Sequence, residues 1–309
     1  MTEQMWHISA FVLYFAAVLA IGFVFFLKSK GGGEKEYFLG GRNMGPWVTA
    51  LSAQASDMSA WLLMGLPGSI LAFGFGEVWI GIGLALGTAA NWIFTAKRLR
   101  RFSKASGDAI TLPQYLSNRF GGGKTVLQTV CALIFLVCFT VYVASAFVAG
   151  TGVFTSVFPE LDSTVAMLIF GAIILVYTFL GGFKAVCWTD FFQGLLMLVA
   201  LLAVPIIMFA FGNFDNQYTS AFADGVTAFN SNPFTASWQD IASGLGWGLG
   251  YFGMPHILVR FMAIKKSSMV KKSSTVAIIW VILTLGAAIV IAFLARTYLL
   301  ADGGSLAES

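Results

Sequence analysis

Charge is scarce in this sequence: Asp, Glu, Lys and Arg together make up 10% of its 309 residues. Soluble domains carry about a quarter, so a water-facing fold would leave far too much apolar surface uncovered. Histidine is scarcer still. His7 and His256 are too few and too far apart to indicate a metal centre. The three cysteines, Cys131, Cys138 and Cys187, show no C-x-x-C spacing, and the first two stand seven apart on one expected helix, where they cannot reach each other. They read as buried apolar filler. Catalytic triads and paired acid-base arrangements are also missing, which leaves an enzyme reading without residues and gives no reason to expect a cofactor.

Apolar residues are what the chain has in excess, at 58%, with a mean hydropathy of +0.83. Its natural solvent is the lipid bilayer. About 20 residues cross the hydrocarbon core as a helix. Segments of that length occur near 8 to 27, 47 to 73, 77 to 96, 125 to 155, 163 to 181, 190 to 211, 239 to 262 and 275 to 298, giving eight expected spans. The first has no basic residue before it and exceeds the apolar core of a cleavable signal, so it reads as a permanent helix.

The formal net charge of +4 does not indicate nucleic acid, because the basic residues sit in short clusters between apolar runs. Lys28, Lys30, Lys35 and Arg42 follow span one; Lys97, Arg98, Arg100, Arg101, Lys104, Arg119 and Lys124 follow span three. Lys184 follows span five, and Arg260, Lys265, Lys266, Lys271 and Lys272 follow span seven. The opposite loops carry Glu77, Glu160, Asp162, Asp215, Asp224 and Asp240, and only Arg296 breaks the pattern. Positive loops face the cytoplasm, which places the N-terminus outside. Gly121-Gly122-Gly123-Lys124-Thr125 has the tail of a phosphate-binding loop, but Asn118 stands where the first glycine belongs and no strand precedes it.

Span two holds the chemistry. Asp57 is the one acid placed well inside a span, and a carboxylate there costs about 2.5 to 3.5 kcal/mol unless it meets a partner, a cavity or an ion. Ser52, Ser56 and Ser59, at three- and four-residue spacing, are expected to gather hydroxyl oxygens around it. Hard oxygen ligands suit sodium. The alternative is a structural acid paired with a cation on another helix.

Gly65, Pro67 and Gly68 weaken the second half of this helix, and the glycine run Gly244, Gly246, Gly248, Gly250 and Gly253, ended by Pro255, interrupts span seven. The two interrupted spans lie five apart, an odd number, and must cross in opposite directions. This is the arithmetic of an inverted five-helix repeat around a central site; close helix packing is the other account of the glycines. Trp247, Tyr251 and Pro255, four apart, would share a helix face and could wall an apolar solute, or simply form a packing stripe.

The runs Phe38-Leu39-Gly40-Gly41-Arg42, Ala55-Ser56-Asp57-Met58-Ser59 with Trp61 to Gly68, and Gly181-Gly182-Phe183-Lys184-Ala185-Val186 leading to Thr189, Asp190 and Gln193 closely resemble the sodium:solute symporter family. That resemblance implies an all-α integral membrane protein of leucine-transporter-like inverted-repeat architecture in the bacterial inner membrane, with a periplasmic N-terminus. Residues 1–45 would form the first helix and cytoplasmic loop, 46–212 the first five-helix repeat and 213–309 an incomplete second repeat. About five further spans are expected after Ser309, and the stretch to Ser309 is not expected to transport alone. The implied activity is sodium-driven uptake of L-proline, with sodium as the coupling ion and no obligate protein partner. Ala55 and Met58 would lend backbone carbonyls to sodium, with Asp57 contributing. Ser59, Trp61, Trp247, Tyr251 and Pro255 would meet the solute, and Arg42 and Asp190 would serve coupling and gating. Ala60 stands where relatives tend to have glycine, which puts the fine shape of the solute site in question. The alternatives are a symporter-like sensor module, a passive channel, or a carrier of pantothenate, a sugar or an organic anion.

Overall fold

The computed structural model describes residues 3–29, 33–121, 125–158, 160–211 and 232–301. Lys30, Gly122, Gly123, Lys124, Asp215, Asp224 and the expected repeat boundary after 212 lie outside the described residues, and so do the side chains of His7 and Ala60. Among the described residues the chain is helical throughout, with one isolated bridge between Met44 and Ile264 and no strand.

The helices are α1 (Glu3–Ser29), α2 (Glu34–Leu39), α3 (Pro46–Ala60), α4 (Leu66–Phe73), α5 (Val78–Ala90), α6 (Lys97–Ala105), α7 (Leu112–Phe120), α8 (Thr125–Val157), α9 (Ser163–Phe211), α10 (Trp238–Gly246), α11 (Pro255–Ala263) and α12 (Val270–Ala301). Among the described residues, five helical stretches are long and apolar enough to cross a bilayer: Ile8–Lys28, Phe75–Ala105, Thr125–Thr155, Ser163–Ala210 and Ser267–Arg296. The fourth, at 48 residues, would reach about 72 Å as one straight rod, more than twice the hydrocarbon thickness. It is not straight, because Gly182 takes φ 58 and ψ −160, a conformation that glycine adopts without a Cβ penalty. The kink divides it into the two expected crossings, and the second begins there rather than at 190. Asp190 therefore sits two turns inside a helix instead of at its mouth.

Both interruptions are present, one of them displaced. Span two breaks at Ser59 (φ 24, ψ −161), followed by a π turn over Trp61–Gly65. Pro67 occupies the first turn of α4, where a missing N–H leaves nothing unsatisfied. The break thus lies ahead of the proline, not at it. Span seven tightens into a 3-10 segment, Trp247–Phe252, and restarts at Pro255 in the first turn of α11.

The register between α3 and α11 is antiparallel. Met44 N–H donates to the Ala263 carbonyl at 3.1 Å, Ser52 and Ser56 meet Arg260, and Asp57 meets His256. Beyond the breaks, Trp61 stacks on Trp247 with ring centroids 5.6 Å apart. As one chain ascends the other descends.

Packing accounts for part of the glycine run. An added Cβ on Gly83 would lie 2.3 Å from the Gly244 carbonyl oxygen, and one on Gly87 2.3 Å from that of Gly248. Four glycines interlock α5 with α10 and the 3-10 segment at backbone contact, as small residues allow between helices in membranes. Gly87→Ala should therefore lower the thermal unfolding midpoint in detergent, by the equivalent of about 1–3 kcal/mol of overpacking. Gly246→Ala, with nothing within 4 Å of an added methyl, should leave it unchanged. Equal midpoints for the two variants would refute the interlock.

Candidate functional site

Ser59 stands at a positive φ that few non-glycine residues adopt, and strained backbone of this kind clusters at functional positions. The break changes which donors reach the nearby carbonyls. Met58 O accepts the Trp61 N–H, and Ser56 O accepts the Tyr142 hydroxyl of α8 at 3.1 Å.

Asp57 enters the interior with a side chain only 5% exposed. His256 Nε2 stands 3.9 Å from Oδ1, and Oδ2 has no hydrogen-bond partner. The His256 ring is held flat against Tyr142, centroids 5.5 Å apart, and edge-on to Phe139. The expected gathering of serines around Asp57 does not occur. Ser52 and Ser56 are four apart and share a face, whereas Asp57 is rotated about 100° from Ser56.

Those two serines serve a different carboxylate. Ser52 Oγ donates to Asp190 Oδ2 at 2.7 Å and Ser56 Oγ at 3.0 Å. Arg260 Nη2 pairs with the same oxygen at 2.7 Å, while Nε donates to Ser52 Oγ at 2.6 Å. Further Arg260 contacts run to Ser56 Oγ and to the His256 carbonyl. Arg260 is 5% and Asp190 7% exposed, so the pair is sealed from water. Asp57 is therefore not the one buried acid, and Arg260 is not a loop charge. Sequence reading missed Arg260 although a signal was present: it lies between Val259 and Phe261 within an apolar run.

The expected solute residues divide. Ser59 and Trp61 line a cavity of about 510 Å³ with Tyr142, Ser145 and Gly150 of α8. Trp247 covers Trp61 from one side. Tyr251 turns away and is buried, its carbonyl accepting Asn91 Nδ2 at 2.8 Å. The shared face expected for Trp247, Tyr251 and Pro255 fails because a 3-10 segment has three residues per turn, so a step of four overshoots by about 120°. Ala55 lines an adjoining cavity of about 670 Å³ between α1, α8 and α9, where Tyr14, Tyr177 and Gln193 are the polar residues.

Arg42 belongs to a second network at the loop end of α3. It is 5% exposed and donates to Asp108 Oδ1 at 2.9 Å, Ser103 Oγ at 3.0 Å, and the Met262 and Ala109 carbonyls at 2.7 Å each. Lys35 pairs with Asp108, Lys184 with Glu36, and Arg100 caps the Ile264 and Lys265 carbonyls. Arg42 and Asp190, grouped by sequence as coupling residues, thus sit in different networks that meet through α11. Burial acts to raise the Asp108 carboxyl, but Lys35 and Arg42 outweigh it and hold the group below the usual carboxylate range.

The sequence model of the sodium:solute symporter family matches residues 37–308. Sodium/proline symporters of Staphylococcus aureus strains JH9 and NCTC 8325 are each 45% identical over 269 residues, covering 87% of this chain and 52% of theirs. The chain therefore spans about half the length of the curated relatives it matches. Among solved structures, a Na+-coupled sialic acid symporter in a substrate-bound outward-open state superposes with a TM-score of 0.76 at 19% identity, covering 96% of this chain and 61% of that one. At that identity the likeness speaks for the fold.

Removing one member of a buried pair strands the other charge, at a cost of about 3–5 kcal/mol. Asp190→Asn or Arg260→Gln should each lower the unfolding midpoint strongly, and the double variant should lose clearly less than the two losses combined; simple additivity would refute the pairing. The loop network should also respond to acid. With the folded-state pKa of Asp108 depressed, the native state holds fewer protons than the unfolded chain, so its contribution is complete above about pH 4, the unfolded carboxyl value, and is lost as pH falls through the lower folded value. Hydrogen exchange of residues 34–44 should accelerate below that pH in the wild type and show no such acid step in Asp108→Asn.

Proposed function

The chain belongs to the sodium:solute symporter family, and from that membership we propose that the protein couples inward sodium flow to the uptake of L-proline. The proline assignment draws on the name of the 45%-identical relatives. The observation that carries the carrier reading is the pair of antiparallel broken helices, α3 with α4 and α10 with α11, meeting beside a buried carboxylate, Asp57. Interrupted helices of opposite direction are how secondary transporters offer backbone groups to an ion and a solute at mid-membrane.

In this reading the Ala55 and Met58 carbonyls and Asp57 bind sodium. Ser59 and Trp61 line the solute cavity, Trp247 closes over it, and Tyr251 and Pro255 shape it from behind. Residues 46–212 and 213–309 are the first inverted five-helix repeat and the start of the second. The protein lies in the bacterial inner membrane with a periplasmic N-terminus and the Arg42 network at the cytoplasmic end. Sodium favours one of two conformations, and solute binds that one better, so coupling is a difference in affinity between states and no covalent step is needed. Arg42 and Asp190 bear on that equilibrium by holding elements together at one end and in the middle of the bundle.

Binding of labelled L-proline to membranes containing the protein should rise with sodium and not with choline. Unlabelled proline should compete, and pantothenate, sialic acid and glucose should not. Asp57→Asn should weaken the sodium stimulation by about tenfold or more, as expected for a lost charge-assisted ligand. Proline binding that ignores sodium would sink the proposal.

A further inference from the structure

Two segments far apart in sequence bring their cations to one cavity. Arg100, Arg101, Lys104, Lys265, Lys266 and Ser267 line a hollow of about 600 Å³ between the end of α6 and the turn that joins α11 to α12. No acidic residue lines it. Asp108, the acid that follows α6, is taken by Lys35 and Arg42. Among the described residues, Arg101, Lys104, Lys265 and Lys266 pair with no carboxylate. A preference for basic loops on one side of the membrane accounts for the residue types. It does not account for a shared hollow between segments whose linking bond joins residues 164 apart.

A buried charge fixes one wall. Arg100 is 7% exposed; its Nε and Nη2 donate to the Ile264 and Lys265 carbonyls, and among the described residues its Nη1 has no hydrogen-bond partner. The Met44 carbonyl accepts the Lys265 N–H at 3.1 Å, so the turn is held from α3 as well. The cations thus face a gap of set shape and repel one another unless an anion lies among them.

Depth identifies the anion. The apolar stretch Phe75–Ala105 ends at the hollow and Ser267–Arg296 begins at it, with Ala105 and Ser267 both in the lining. That is the level of lipid headgroups. Exposed Ile93 and Phe94 stand about two turns before Arg101 on the hydrocarbon side, and Ile279 and Ile282 are exposed on α12, which gives acyl chains an apolar surface. Guanidinium forks and ammonium groups match phosphate oxygens, and basic pockets between spanning helices suit lipid headgroups.

We propose that this hollow binds the phosphate of an anionic phospholipid from the leaflet on the basic side. Arg100 and Arg101 offer N–H groups to the phosphate oxygens, while Lys104, Lys265 and Lys266 supply countercharge. Occupancy ties α6 to the α11–α12 turn, apart from the solute cavity and from Asp57.

The test is titration of the purified protein in neutral detergent with dioleoylphosphatidylglycerol, dioleoylphosphatidylcholine or potassium phosphate, read as bound adducts by native mass spectrometry. Phosphatidylglycerol should bind at least about tenfold more tightly than phosphatidylcholine, and an equal concentration of inorganic phosphate should not displace it. Lys104→Gln with Lys266→Gln removes two exposed charges of the lining and should weaken phosphatidylglycerol binding about tenfold or more. Lys28→Gln with Lys272→Gln removes as much charge at the same end of the bundle, outside the lining, and should leave binding within about threefold of the wild type. Equal weakening by the two double variants, or equal binding of the two lipids, overturns the site in favour of diffuse charge. Displacement by inorganic phosphate overturns the lipid assignment in favour of a soluble anion.

Discussion

Arg260 carries a permanent charge into an apolar interior, and the middle of the bundle is organised around keeping it company. A guanidinium does not shed its proton under any condition the protein meets, so its neutraliser must be another side chain. Asp190 provides the countercharge, and Ser52, Ser56 and the His256 carbonyl each take a further N–H group. Because these partners sit on α3, α9 and α11, the pair fastens three helices at one level. The kink at Gly182 and the restart at Pro255 bring Asp190 and Arg260 to that level.

Much of this was legible. Span positions followed from apolar length, the two interrupted helices from their Gly and Pro content, and the family from short motifs that recur in order. The side-chain pairings were not. The serines of span two point at a carboxylate 134 and 138 residues away in sequence, and helical spacing cannot say which of two acids they face. Arg260 looked like one more loop charge because Lys265 and Lys266 follow it closely in sequence. Its burial depends on Asp190, two helices earlier on α9.

The displaced break in span two has a similar lesson. Proline and glycine identified the right helix and the wrong residue, because Pro67 is compatible with a helix start while Ser59 carries the non-helical dihedrals. Nothing in the type of residue at 59 announces a positive φ. In span seven the glycines had two roles, since Gly244 and Gly248 make room for α5 while the chain nearby tightens into 3-10 geometry. That tightening rotated Tyr251 off the face that four-residue spacing assigned to it.

The two ionic networks differ in how readily water can replace them, and that difference ranks them mechanically. Asp108, which receives Lys35 and Arg42, is 38% exposed on its side chain, and half-exposed pairs contribute roughly 0–1 kcal/mol. The side chains of Asp190 and Arg260 are 11% and 5% exposed, and separating such a pair costs about 3–5 kcal/mol. A motion that parts α2 from the loop after α6 has water waiting for Asp108 and Lys35. One that parts α3 from α9 and α11 at the centre must strand a buried charge. Releasing Lys35 from Asp108 at the loop end therefore costs less than parting the three helices around Arg260, which favours those helices moving together.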